Sequence, residues 1–82
     1  MFAKLYETEV GQILAKIDAG EDENPEVRVF FEPEGLGVCS LAFTFTEYSE
    51  EEQWDKLEEV FNGLDEGNLV EMVKSTLSDL GL

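Results

Sequence analysis

The residues in this chain whose types and spacing could do chemistry are carboxylates. Glu51, Glu52, Asp55, Glu58 and Glu59 fall within about 120° of one another on a helical wheel, on a segment with one basic residue, Lys56. A second acidic group comprises Glu21, Asp22, Glu23, Glu32 and Glu34, with Asp65 and Glu66 further on. Carboxylates in such numbers can bind a metal ion, move protons, or present acceptors to cations. Calcium fits poorly, because Asp18 to Asn24 lacks both the oxygen ligand at the third position and the glycine at the sixth that an EF-hand loop needs. Acid–base catalysis needs a pocket that shifts a carboxyl pKa, which a short chain with its acids on an open surface does not build. Recognition of cations remains: guanidinium and ammonium groups bind carboxylates through charge-assisted, often bidentate hydrogen bonds.

The rest of the composition narrows the choice. The 82 residues include 20 Asp and Glu, 5 Lys and Arg and no His, for a net charge of −15. Direct nucleic-acid binding, adhesion to anionic membranes and histidine chemistry all lack the groups they require. Cys39 is the one cysteine, so no internal disulfide, zinc site of the Cys/His type or Cys-ligated cluster can form within one chain. With no His to activate it, Cys39 reads as a core thiol rather than a nucleophile. No enzymatic activity, metal or cofactor is expected. No run of about 18 apolar residues exists, and Glu7 and Glu9 interrupt any signal-like stretch, so the expectation is a soluble protein of the reducing cytoplasm. Leu, Ile, Val and Phe make up 25 of the 82 residues, enough for one small folded domain spanning 1–82.

The elements that would position these groups follow from periodicity. Phe2, Leu5, Tyr6, Val10, Ile13, Leu14 and Ile17 recur at spacings of three and four, which predicts an N-terminal helix to Ala19, stopped by Gly20. Gly20–Glu26, with Pro25, reads as a loop. Val27, Val29 and Phe31 then alternate as a strand, Pro33–Gly37 supplies turn chemistry, and Val38–Thr46 predicts a second strand with Cys39, Leu41, Phe43 and Phe45 on its core face. Both strands would be sheet edges, and Phe30 stands on the face opposite Val27, Val29 and Phe31, which implies either that both faces are partly covered or that an apolar patch is left. Ser49-Glu50-Glu51-Glu52 is a capping-box pattern opening a helix that buries Trp54, Leu57, Val60 and Phe61 and ends at Asn62-Gly63, with Leu64 folding back in a Schellman stop. A last helix is expected from Asn68, paired with Glu71, through Leu69, Val70, Val73, Leu77 and Leu80 to Gly81. The fold class is therefore α+β: one helix, an antiparallel β-hairpin, then two helices packed on one face of the small sheet.

Charge is concentrated in two blocks, −5 over residues 21–34 and −8 over residues 47–66. Like charges four residues apart, as in Glu51 with Asp55 and Asp55 with Glu59, each cost a few tenths of a kcal/mol, so helix stability alone does not account for the stripe. Acidic faces do keep small domains soluble. Carboxylates at i and i+4 also repeat at roughly 6 Å, comparable with successive phosphates along a nucleic-acid strand. An acyl carrier protein is excluded, since its D-S-L motif is absent and the nearest string is Ser78-Asp79-Leu80.

In size, acidity and expected element order over most of the chain, the sequence resembles small phage-encoded inhibitors that imitate nucleic acid, including some anti-CRISPR proteins. No motif aligns, so no residue role is carried over. The resemblance implies a non-enzymatic inhibitor that competes with DNA or RNA for the basic groove of a CRISPR effector, restriction or repair enzyme, or transcription factor. The alternative is an adaptor or regulator that binds through an apolar patch or the hairpin edge, with Phe30 or Trp54 as anchor; an uncovered edge also makes a homodimer conceivable.

Overall fold

The computed structural model describes residues 2–19, 24–33 and 35–81. Four strands, β1 (Phe2–Thr8), β2 (Gly11–Ala19), β3 (Pro25–Phe31) and β4 (Cys39–Phe43), precede two helices, α1 (Glu50–Gly63) and α2 (Glu66–Asp79). The strands form one antiparallel sheet in the order β1-β2-β3-β4. The α+β class holds, but the expected N-terminal helix does not exist.

That segment is a hairpin. Phe2 pairs with Ile17, Leu5 with Leu14 and Tyr6 with Ile13, around a two-residue turn at Glu9 and Val10. Thr8 closes the turn: its hydroxyl accepts from the Val10 N–H at 3.1 Å and donates to the Gly11 carbonyl at 2.7 Å. Gly11 takes φ +95°, a conformation that glycine adopts without a Cβ penalty, so it serves the turn. The helical spacing was misleading because both sheet faces carry apolar residues. Tyr6, Ile13 and Ile17 point to one side, Leu5 and Leu14 to the other, and two interleaved period-two patterns imitate one of period 3.6.

The second hairpin matches its expected alternation. Val27, Val29 and Phe31 are buried, opposite Phe43, Leu41 and Cys39, and Gly35 at φ +84° serves the intervening turn, where the Leu36 N–H donates to the Pro33 carbonyl at 3.1 Å. Pro25 is the buried first residue of β3 rather than part of a loop, a strand position where a missing N–H is tolerated. With β2 beside it, β3 is an interior strand; the sheet edges are β1 and β4.

Two helices, not three, cover the sheet, and both lie on one face. α1 packs on β3 and β2, and α2 on β1. The core joins Ile13, Ala15 and Ile17 of β2 and the inward side of β3 to Leu57, Phe61, Leu64, Leu69, Val70 and Val73. Trp54 is half-buried against this core. Leu80, expected on the buried stripe of the last helix, is 63% exposed.

The helix ends differ from the patterns read in the sequence. Ser49 caps α1, accepting from the Glu52 N–H at 3.4 Å, but the return bond to Glu52 that completes a capping box is not present among the described residues. Gly63 is the last helical residue, and Leu64 follows in an extended conformation (φ −76°, ψ 131°) with its side chain buried, so the stop is not of the Schellman type. α2 begins earlier than Asn68: Asp65 is its cap, with Asp65 Oδ1 accepting from the Asn68 N–H and Asn68 Oδ1 accepting from the Asp65 N–H, both at 2.8 Å. Gly81, at φ +79°, ends it as anticipated. Among the described residues no helix is long and apolar enough to cross a membrane.

Candidate functional site

α1 divides its two faces sharply. Gln53, Leu57 and Phe61, four residues apart, form the buried line, and this fixes the helix's rotation about its axis. Glu51, Glu52, Asp55, Glu58 and Glu59 consequently stand in solvent on the opposite side, all exposed. They span nine residues of helix, about 12 Å along the axis. The first-turn acids Glu50, Glu51 and Glu52 sit at the positive end of the helix dipole, while the later ones have no such support.

Among the described residues none of these five carboxylates has an ion-pair partner; the pairs present are Arg28 with Glu26 and Lys74 with Glu9. Lys56, the cation within the helix, places its ammonium 4.7 Å above the Tyr48 ring. Its charge is thus drawn toward the loop before α1. Tyr48 and Lys56, together with Glu52, Asp55 and Glu59, line a shallow open groove of about 360 Å³. Chemically this is an array of hydrogen-bond acceptors with a cation and an aromatic ring along one side. Among the described residues no group of three or more Cys, Asp or Glu is arranged to hold a metal ion.

The other expected site residues are not all continuous with this stripe. Asp65 and Glu66 lie at the corner between α1 and α2, both exposed, and Asp65 is engaged as a helix cap. Glu32 directly follows β3 and is exposed, and it is not among the residues that line the α1 groove. Glu21, Asp22, Glu23 and Glu34 lie outside the described residues.

The sheet face opposite the helices, which the sequence reading touched only through Phe30, is wider than one residue. By register, Leu5, Leu14, Phe30 and Ser40 form one row across all four strands, and Ala3, Lys16, Arg28 and Ala42 form the next. Leu5 is 61% exposed. Lys16 places its ammonium 5.6 Å from the Phe30 ring centre, and Arg28 bonds Glu26 and the Ser40 hydroxyl. The outward orientation of Phe30 was legible in the alternation of its strand, but Leu5 and Leu14 were hidden by the helical reading of their segment.

No protein-family model matches the chain, and neither a curated protein nor a solved structure matches it.

Proposed function

We propose that the chain is a non-enzymatic inhibitor that occupies the basic nucleic-acid groove of a nucleic-acid-handling protein, with α1 standing in for a phosphate backbone. The observation that supports this reading is the five-carboxylate face of Glu51, Glu52, Asp55, Glu58 and Glu59, exposed and, among the described residues, without ion-pair partners. A helix face selected for helix stability would alternate its signs and gain from doing so. Arginine and lysine side chains that grip phosphates at roughly 6 Å intervals can grip carboxylates at i and i+4 by the same charge-assisted bonds. The partner class is a CRISPR effector, a restriction or repair enzyme, or a transcription factor, and the site of action is the cytoplasm. The resemblance to phage-encoded nucleic-acid mimics contributes size and acidity to this reading; the element order first expected is not that of the chain.

The test is capture of partners from bacterial lysate on the immobilised protein, eluted by a salt gradient, beside the variant Glu51→Lys/Asp55→Lys/Glu58→Lys. The expected result is a nucleic-acid enzyme released by moderate salt, displaced by added DNA or RNA and absent from the variant column. Partners that survive high salt and ignore the triple reversal would overturn the mimic reading and indicate an apolar contact.

A further inference from the structure

We propose that the open edge of the sheet at β4 is the contact between two copies of this chain, paired antiparallel so that two four-stranded sheets join into one. β4 pairs with β3 alone, and an open strand edge is a template for another strand. This edge lacks the usual protection. From Gly35 to Thr46 the chain runs twelve residues without a charged side chain, in a molecule of charge −15, whereas the other edge strand, β1, carries Lys4 and Glu7. Burial points the same way. Val27, Val29 and Phe31 of β3 are at most 3% exposed, while their β4 neighbours Phe43, Leu41 and Cys39 are only half-buried, because α1 packs on β3 and β2 and no strand follows β4.

The missing charge is what selects the occupant. A basic strand would be held best by carboxylates on the edge, and β4 has none; a second copy, with the same excess of negative charge, is accepted only where pairing sets no like charges opposite each other. For the two sheets to be continuous, residues on the helix side of β4 must pair with residues of the same side. A two-fold pairing about Leu41 does this for all five residues of the strand: Leu41 meets Leu41, Cys39 meets Phe43 and Ser40 meets Ala42 of the second copy. Continued outward, this register sets Thr46 opposite Leu36 and Glu47 opposite Gly35, so from Gly35 to Glu47 no carboxylate faces another. The charged groups nearest the seam stand beside it and are engaged within their own copy. Arg28, on the outer face, bonds Glu26 and the Ser40 hydroxyl, and Lys56, on the helix side, rests on the Tyr48 ring with Glu52 beside it.

Sedimentation equilibrium over a wide range of protein concentration tests this. The expected result is a reversible dimer that tightens as salt rises, because salt screens the repulsion between the copies; a complex with a basic groove responds in the opposite sense. Ala42→Glu stands beside Arg28 within each copy, so the fold tolerates it, but it brings charge into the seam twice and is expected to weaken the dimer about fivefold or more. The register has its own test in a Cys39→Ser background, where Ser40→Cys and Ala42→Cys proteins are oxidised separately and mixed. The mixture is expected to form the disulfide-linked dimer several-fold faster than either protein alone, since residue 40 faces residue 42 across the seam. A monomer at every concentration overturns the proposal, as does a dimer that salt dissociates, a dimer indifferent to Ala42→Glu, or cross-linking no faster in the mixture. Circular dichroism confirms that each variant is folded, and the cysteine pair decides if Ala42→Glu is not.

Discussion

Lys4, on the edge strand β1, donates from Nζ to the carbonyl oxygens of Phe61 at 2.7 Å and Leu64 at 3.0 Å, with its ammonium 4.8 Å from the centre of the Phe61 ring. α1 has no basic residue in its last turn, so the charge that complements the negative end of its dipole comes from nearly sixty residues earlier. One side chain thereby ties the N-terminal hairpin to the junction of the two helices. Lys4→Met, which keeps most of the apolar stem, is expected to cost about 1–3 kcal/mol from the loss of charged hydrogen bonds, read as a lower urea midpoint.

The acidic face of α1 opposes stability, and a single reversal should reveal it. Asp55 stands four residues from both Glu51 and Glu59, and all three are exposed. Asp55→Lys converts two like-charge pairs into attractive ones and substitutes a better helix former, so stability is expected to rise by about 1 kcal/mol. The same variant is expected to weaken capture of a basic-groove partner. Thermal unfolding and the salt-gradient column measure the two effects on one protein, and a variant that gains stability while binding unchanged would show the stripe to be mere surface.

Gly11→Ala tests the hairpin against the helix. In a helix the change would be stabilising by roughly 1 kcal/mol. At φ +95° it is instead expected to destabilise by about 1–2 kcal/mol from backbone strain. Steric crowding is not the cause, since an added Cβ would approach no closer than 3.7 Å, to the Glu32 carbonyl. The sign of the change in chemical denaturation decides between the two.

The two helix caps should differ in strength. Asp65→Ala removes one half of a reciprocal pair bonded at 2.8 Å in both directions and is expected to cost about 1–2 kcal/mol. Ser49→Ala removes a longer bond of 3.4 Å and is expected to cost less, about 0.5 kcal/mol. Matched urea titrations of the two variants give the comparison.

What sequence alone determined is the part of the chain where local chemistry admits one answer. In β3, Val27, Val29 and Phe31 recur at a period of two, broken on the outer face only by Phe30, and in β4 Cys39, Leu41 and Phe43 do the same. In α1, an N-cap and a run of helix formers around Leu57 and Phe61 leave no competing period, so the carboxylate stripe and its orientation away from the core were legible without coordinates. Gly35 and Gly81 stand at the positive-φ positions their contexts called for.

Only the tertiary structure decided the N-terminal hairpin, the interior place of β3 and the uncovered sheet face. A strand declares itself by alternation only when one of its faces is polar. Leu5 and Leu14 pair across β1 and β2 on the outer face while Tyr6 and Ile13 pair on the inner one, so the apolar residues follow no period of two. Helix formers such as Leu, Lys and Ala in the same segment gave the wrong period its local support. The contest was settled by long-range contacts: β2 gains a partner on each side in the sheet, Ile13, Ala15 and Ile17 gain burial beneath α1, and Lys4 finds the carbonyl end of that helix. Those gains depend on residues far away in the chain, which no local window contains.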